Sequence, residues 1–150
     1  DHAQLMIGFM CYNGESVPQD HKEAAKWYRM SAENGYRGNE AAQCRLASLY
    51  KKGQGVPQDY KLAMMWYRKS AAQNYAPAQN WLGVMYQNGE GAPQDYKEAY
   101  IWYAIANVGG DEHAKINLER IKAKLSPEQL AEAQEQSTVR FNQIKSNKYK

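Results

Sequence analysis

The residues that could carry out chemistry in this chain are few and scattered. The three histidines, His2, His21 and His113, lie far apart, and none has the Glu-x-x-His type of spacing that a metal site would show. No set of serine, histidine and aspartate residues stands out as a catalytic triad. The sequence therefore predicts no metal site, no cofactor and no catalytic centre.

A glycine-rich segment could be mistaken for a phosphate or calcium loop. Gly89 and Gly91 precede Asp95, but the Gly-Lys-Ser/Thr of a P-loop and the alternating acids of an EF-hand are missing. The same segment recurs elsewhere in the chain at a fixed place in a longer pattern. A turn followed by a helix N-cap explains it better than a ligand site.

That longer pattern is a repeat. Pro-Gln-Asp begins at positions 18, 57 and 93, and Trp-Tyr begins at positions 27, 66 and 102. Ala-Gln begins at positions 3, 42 and 78, so all three series share the same two spacings, 39 and then 36 residues. Self-similarity at such a period is typical of solenoids built from helix pairs.

The third repeat shows how each unit is built. Ala78, Leu82 and Tyr86 form a helical stripe, and Gly83 leaves room for the close approach of a second helix. Asp95 and Glu98 have the spacing of a capping box for that second helix. On the second helix, the Trp-Tyr pair lies between alanines at helical spacing, which favours packing between helices over stacking on bases or sugars.

Turn residues mark the helix ends. Glycine or asparagine follows the second helix at Gly35, Asn74 and Gly110, and both types tolerate a left-handed helix end. Ser16 occupies a turn position that is glycine in the other repeats. Around Arg37, Gly38 and Asn39, extra residues predict a longer loop between the first two repeats.

The C-terminal part of the chain leaves the pattern. Ser126 and Gln129 form a capping box, and one narrow apolar stripe follows it. We expect this helix to cover apolar surface on the last repeat, as the end of an array requires. The predicted organisation is a repeat array over 1–125, with units at about 3–38, 39–75 and 76–111 and a partial unit at 112–125, then a capping helix at 126–146 and a tail at 147–150. The stripe consists of Leu130, Ala133, Ser137, Phe141 and Ile144.

Composition excludes few functions. The net charge of +3 comes from interspersed lysine, arginine and acidic residues, which does not indicate nucleic acid binding. No apolar run has the length of a membrane span. Cys11 and Cys44 fall on different helix faces, so we predict no bridge between them. The chain opens on Asp1 inside a repeat, which predicts a removed upstream segment and leaves the compartment open.

These repeats resemble the Sel1-like repeats, which are related to tetratricopeptide repeats and common in bacterial proteins. The resemblance covers roughly residues 3–125 and departs from the family pattern at Ser16, Cys11, Ala47 and Val108. It implies an all-α, right-handed α-solenoid of about eight helices that acts as a non-enzymatic scaffold or adaptor. In the third repeat it rests on Leu82-Gly83, Tyr86, Gly89, Gly91, Asp95, Ala99 and Trp102-Tyr103.

The same resemblance predicts where a partner would bind. In such repeats the first helix of each pair lines the concave groove. The groove-facing positions, here called slots, lie three residues before and one, four and five residues after the small residue at Gly8, Ala47 and Gly83. We predict partner contacts at these slots, except at Leu5, Cys44, Ile116 and Ala123. The slots hold Leu5, Phe9, Tyr12 and Asn13 in the first repeat, Cys44, Ser48, Lys51 and Lys52 in the second, Asn80, Val84, Gln87 and Asn88 in the third, and Ile116, Arg120, Ala123 and Lys124 in the partial fourth.

The chemistry of these slots suggests an extended, acidic peptide segment of another protein. They carry lysines, an arginine and amides but no acid, and the aromatic pair Phe9 and Tyr12 could anchor an apolar side chain or be covered by an upstream repeat. Two alternatives remain open: an enzymatic role, for example on glycans, and a spacer within a larger protein.

Overall fold

In the computed structural model, the described residues, 2–34 and 39–147, form eight α-helices and no strand. This agrees with the expected all-α fold of about eight helices. Gly35 and two residues of the expected long loop, Arg37 and Gly38, lie outside the described residues, as does the tail beyond Asn147. The helices are α1 (His2–Asn13), α2 (His21–Glu33), α3 (Glu40–Lys52), α4 (Tyr60–Ala72), α5 (Ala76–Asn88), α6 (Tyr96–Val108), α7 (Glu112–Lys122) and α8 (Pro127–Asn147).

Left-handed residues end the helices where the sequence predicts them. Gly53 and Gly89 follow α3 and α5 with φ of 66° and 70°, and their N–H groups bond back to the preceding turn. Asn74 adopts φ of 62° although it carries a side chain. Ser16, the turn residue without a glycine, is also left-handed at φ of 64°. A serine in this region stores local strain that glycine would not.

Aspartates begin the second helices, as expected, but one capping box is incomplete. An Oδ1 oxygen accepts from a backbone N–H two or three residues later at Asp20, Asp59 and Asp95. The predicted return contact from Glu98 to the cap is wrong, because both Glu98 oxygens accept from the Arg140 guanidinium, at 2.6 and 3.0 Å. Arg140 lies on α8, too far along the chain for a local motif to reveal it.

The repeated Ala-Gln pair closes the preceding repeat. Gln43 Nε2 donates to Ala32 O at the end of α2, at 3.2 Å. Gln79 Nε2 donates to Ala71 O at the end of α4, also at 3.2 Å. Both glutamines are buried, so they satisfy helix-end carbonyls that water does not reach. The sequence showed the repetition of this pair without its purpose.

Small residues allow the two helices of a pair to touch. A Cβ at Gly8 would lie 2.7 Å from the Tyr28 ring, and a Cβ at Gly83 would lie 2.5 Å from the Tyr103 ring. Both tyrosines are almost fully buried. The Trp-Tyr pairs therefore provide packing between helices, with the tyrosine of each pair deepest in the core.

The chain divides into two compact units, an N-terminal unit of residues 1–70 and a C-terminal unit of residues 71–150. In the N-terminal unit, the most deeply buried large side chains include Tyr28, Leu46, Leu49 and Tyr67. Both cysteines of the chain belong to this unit, and Cys11 and Cys44 are buried, unbridged thiols.

In the C-terminal unit, α8 packs on α6 and completes the core. Ala133 and Ile144 are buried in a cluster with residues of α6 and α7, and Leu130 and Phe141 pack against its edge. Lys97 also forms an ion pair with Glu132 of α8 at 2.9 Å. The predicted apolar stripe of this helix therefore faces the rest of the unit.

Candidate functional site

A pocket of about 540 Å³ opens between α5 and α7, within the C-terminal unit. Its size falls in the range of ligand sites. One group of side chains supplies apolar walls and another supplies hydrogen-bonding groups and charge. The apolar group is Pro77, Trp81, Val84 and Ile116, and the polar group is Asn80, Asp111, His113, Asn117 and Arg120.

Two asparagines that line this pocket are hydrogen-bonded to each other. Asn117 Nδ2 donates to Asn80 Oδ1 at 3.1 Å, which joins α7 to α5. Asn80 is only 7% exposed, whereas Asn117 is half-buried. Burying an amide group costs free energy unless its polar atoms have hydrogen-bond partners. Asn117 supplies one such partner to Asn80, which makes the pair a specific feature of the pocket.

The two charged side chains that line the pocket, Asp111 and Arg120, differ in their availability to a ligand. Asp111 caps α7, because its Oδ1 accepts from Ala114 N at 2.8 Å. The positive end of the helix dipole also lies against this carboxylate. Arg120 stands exposed in the last turn of α7, where its guanidinium can donate hydrogen bonds to an anion. The pocket can therefore offer a guanidinium to an anionic group more readily than it can offer a carboxylate to a cation.

The structure brings some of the predicted slots of the C-terminal unit together and leaves others apart. Asn80, Val84 and Arg120 line the pocket, along with Ile116. Other slots lie elsewhere on the unit: Gln87 bonds within the fold, Asn88 donates to Glu90, Ala123 is the C-cap of α7, and Lys124 is exposed.

In the N-terminal unit, the predicted slots already make contacts within the fold. The guanidinium of Arg45 lies 5.5 Å from the centre of the Phe9 ring. Tyr12 donates to Gln54 at 3.3 Å. The remaining slots range from buried to exposed: Asn13 donates to Glu15, Leu5, Ser48 and Lys51 are half-buried, Lys52 is exposed, and Cys44 is buried.

Gln87 has a structural role that the sequence did not show. Its Oε1 accepts the phenolic proton of the buried Tyr103 at 2.7 Å. Burial raises the pKa of Tyr103, so this phenol remains a donor. In the first repeat, Tyr12 holds the slot of Gln87, and the Tyr28 hydroxyl is buried with no hydrogen-bond partner among the described residues. Burial raises the pKa of Tyr28 to about 12.

This difference between two equivalent tyrosines gives a matched prediction. Tyr28→Phe should leave stability unchanged or raise it by up to about 1 kcal/mol, because it removes an unpaired buried hydroxyl. Tyr103→Phe should cost about 1 kcal/mol, because it removes a paired hydroxyl and leaves Gln87 without its donor. Urea unfolding of both variants measures the difference. Equal destabilisation by the two substitutions would contradict it.

The sequence did not single out five pocket residues: Pro77, Trp81, Asp111, His113 and Asn117. The slot pattern counts positions along one helix, whereas the pocket also uses the loop before α7 and the start of α5. Asp111 carried a signal, since an aspartate that follows a Gly-Gly pair and precedes a helical stripe is a typical N-cap.

Neither a metal cluster nor a membrane-crossing helix is present in the described part of the chain. No group of three or more His, Cys, Asp or Glu side chains within it could hold a metal ion. Over residues 2–34 and 39–147, no helix combines the length and apolarity that a membrane crossing needs.

Successive helix pairs with repeated turns, caps and packing tyrosines define an α-solenoid of the tetratricopeptide-like class. The particular family is shown by a match to the Sel1 repeat model over residues 1–36, 40–75 and 76–107. Since these segments cover most of the chain, the protein belongs to the Sel1 repeat family. Repeats of this family typically mediate protein–protein interaction and are generally not catalytic.

Two solved bacterial structures have the same fold. A Sel1 repeat protein from Oxalobacter formigenes is 36% identical with a TM-score of 0.71, over 78% of this chain and 47% of that one. The protective antigen c5321 of uropathogenic Escherichia coli strains, which displays an SLR fold, is 25% identical with a TM-score of 0.71, over 99% of this chain and 39% of that one. This chain spans less than half the length of either. No curated protein gives a significant match.

Proposed function

We propose that this chain is a non-enzymatic scaffold that binds an extended, acidic peptide segment of another protein through the first helices of its pairs. The observation that carries the proposal is the pocket between α5 and α7, which combines apolar walls, an amide pair and an exposed guanidinium. Three predicted slots, Asn80, Val84 and Arg120, line it. The Sel1 repeat fold supports a protein partner.

The preference for acidic segments rests on the available charges. Arg120 is exposed at the pocket, while the Asp111 carboxylate is engaged with the N-terminus of α7. An arginine can bind a carboxylate with two parallel hydrogen bonds, which fixes orientation as well as adding energy. In the N-terminal unit, Lys51 and Lys52 supply cations at the slots that Gln87 and Asn88 hold in the third repeat.

The full proposed site and organisation follow the repeat pattern. We assign the array to 1–125, the capping helix to 126–146 and the tail to 147–150. The partner-binding residues proposed are Phe9, Tyr12, Asn13, Ser48, Lys51, Lys52, Asn80, Val84, Gln87, Asn88, Arg120 and Lys124.

The test is selection from a displayed library of random 12-residue peptides, followed by titration of the selected peptides. We expect Asp and Glu to be enriched, and Arg120→Glu to weaken binding about tenfold or more, since it replaces a charge-assisted bond with repulsion. Lys115→Glu is the matched control, because it makes the same charge change on α7 outside the pocket.

A second arm addresses the N-terminal unit with the double change Lys51→Glu and Lys52→Glu. Affinity for the selected peptides should fall, and binding to the unchanged chain should weaken as salt rises. The double change Lys22→Glu and Lys61→Glu, at exposed positions of α2 and α4, controls for net charge. Selected peptides that are basic, or binding that none of these changes affects, would contradict the proposal. A spacer would yield no specific peptide.

A further inference from the structure

In the pair formed by Asn80 and Asn117, one donor atom and one acceptor atom take no part in the hydrogen bond between the two side chains. Asn117 Nδ2 and Asn80 Oδ1 bond to each other at 3.1 Å, which leaves Asn80 Nδ2 and Asn117 Oδ1. Within the described residues, neither of these two atoms has a hydrogen-bond partner. Asn80 is more than nine-tenths buried and lines the pocket. A buried amide that keeps an unused group at a pocket surface is a ready-made ligand contact.

This arrangement matches the edge of one extended residue. In an extended chain, the N–H and C=O of the same residue point to the same side, as they do in a paired strand. Asn80 Nδ2 can donate to that carbonyl, while Asn117 Oδ1 accepts from that N–H. We propose that the pocket between α5 and α7 recognises the main chain of one extended peptide residue through Asn80 and Asn117. This inference rests on the proposed function and deepens it.

The walls of the pocket then define the side chain of that residue and the side chain of its neighbour. Successive side chains of an extended peptide point in opposite directions. One direction leads to the α5 wall, where Trp81 and Val84 are apolar, and the other leads to the α7 wall, where Arg120 lies one turn beyond Asn117. The ligand is therefore an extended segment in which an apolar residue directly neighbours an acidic one.

The experiment changes the peptide rather than the protein. A peptide selected by display is resynthesised with each main-chain N–H replaced in turn by an ester oxygen, and each version is titrated against the unchanged chain. At one position the ester should weaken binding about five- to tenfold, as the loss of one hydrogen bond would. The same ester should cost less than about twofold with Asn117→Ala, because the acceptor is already gone.

Asn142→Ala is the matched control, since this exposed amide lies on α8 outside the pocket and is not among the proposed partner-binding residues. Side-chain amide resonances give a readout without any substitution: the Nδ2 signal of Asn80 should move on peptide addition, and that of Asn142 should not. An ester scan with no sensitive position, or a sensitive position whose loss persists in Asn117→Ala, overturns the main-chain contact. Peptides that bind independently of Arg120 would instead overturn the proposed function.

Discussion

A chain ending at Leu125, without α8, should melt roughly 10–20 °C lower than the complete chain and associate in solution. The shortened chain loses Ala133 and Ile144, which are buried in the core, and Leu130 and Phe141, which pack against it. At about 1.5–3 kcal/mol for each large apolar side chain, this loss amounts to several kcal/mol. A change of that size shifts the melting temperature of a 150-residue domain by this amount.

Thermal melting and sedimentation of the shortened chain test this prediction. In the complete chain, Leu130→Ala with Phe141→Ala should reproduce part of the loss, while Val139→Ala, at a residue 51% exposed, should have little effect. Association should follow, because removing α8 exposes the apolar α6 surface that it covers. An unchanged melting curve for a monomeric shortened chain would show that α8 is a free arm rather than a cap.

Trp66→Ala should destabilise the N-terminal unit by about 3–5 kcal/mol, the usual cost of deleting a large buried aromatic side chain. Trp66 is 7% exposed, and Lys69 Nζ lies 4.5 Å from the centre of its ring. The cost combines lost burial with the cavity that the truncation leaves between helices. Urea unfolding monitored by circular dichroism measures the change.

Met65→Ala is the control for this prediction, because Met65 neighbours Trp66 in sequence but is 38% exposed. It should change stability by less than about 1 kcal/mol. Trp66→Phe should fall between the two, since it keeps an aromatic ring of smaller volume. A cost below about 1 kcal/mol for Trp66→Ala would show that the ring is not packed between helices.

The fold could be predicted because its determinants are local and repeat along the chain. Gly89 ends a helix, Asp95 begins one, and Gly83 admits Tyr103, all within one repeat. The partner of Glu98 could not be predicted, because Arg140 belongs to a helix that has no counterpart in the repeats. The same reason hides the role of Gln87, whose partner is a hydroxyl brought close only by folding.

The candidate site was predictable only in part. Asn80, Val84 and Arg120 follow from counting positions along a repeated helix. Trp81 and Asn117 do not, because a pocket between two helices depends on their distance and rotation, which the repeat pattern does not encode. The sequence indicated which helices would line a groove, but not that two asparagines would meet there.

The placement of the two buried thiols allows the opening of one half of the molecule to be measured by a chemical reaction. Cys11 and Cys44 both lie in the N-terminal unit, and the chain has no other cysteine. A thiol reagent can reach them only when that unit opens, so the rate of alkylation measures the opening of residues 1–70 and is silent about residues 71–150. Without any engineered label, the alkylation rate of the unmodified chain therefore follows the opening of its N-terminal half alone.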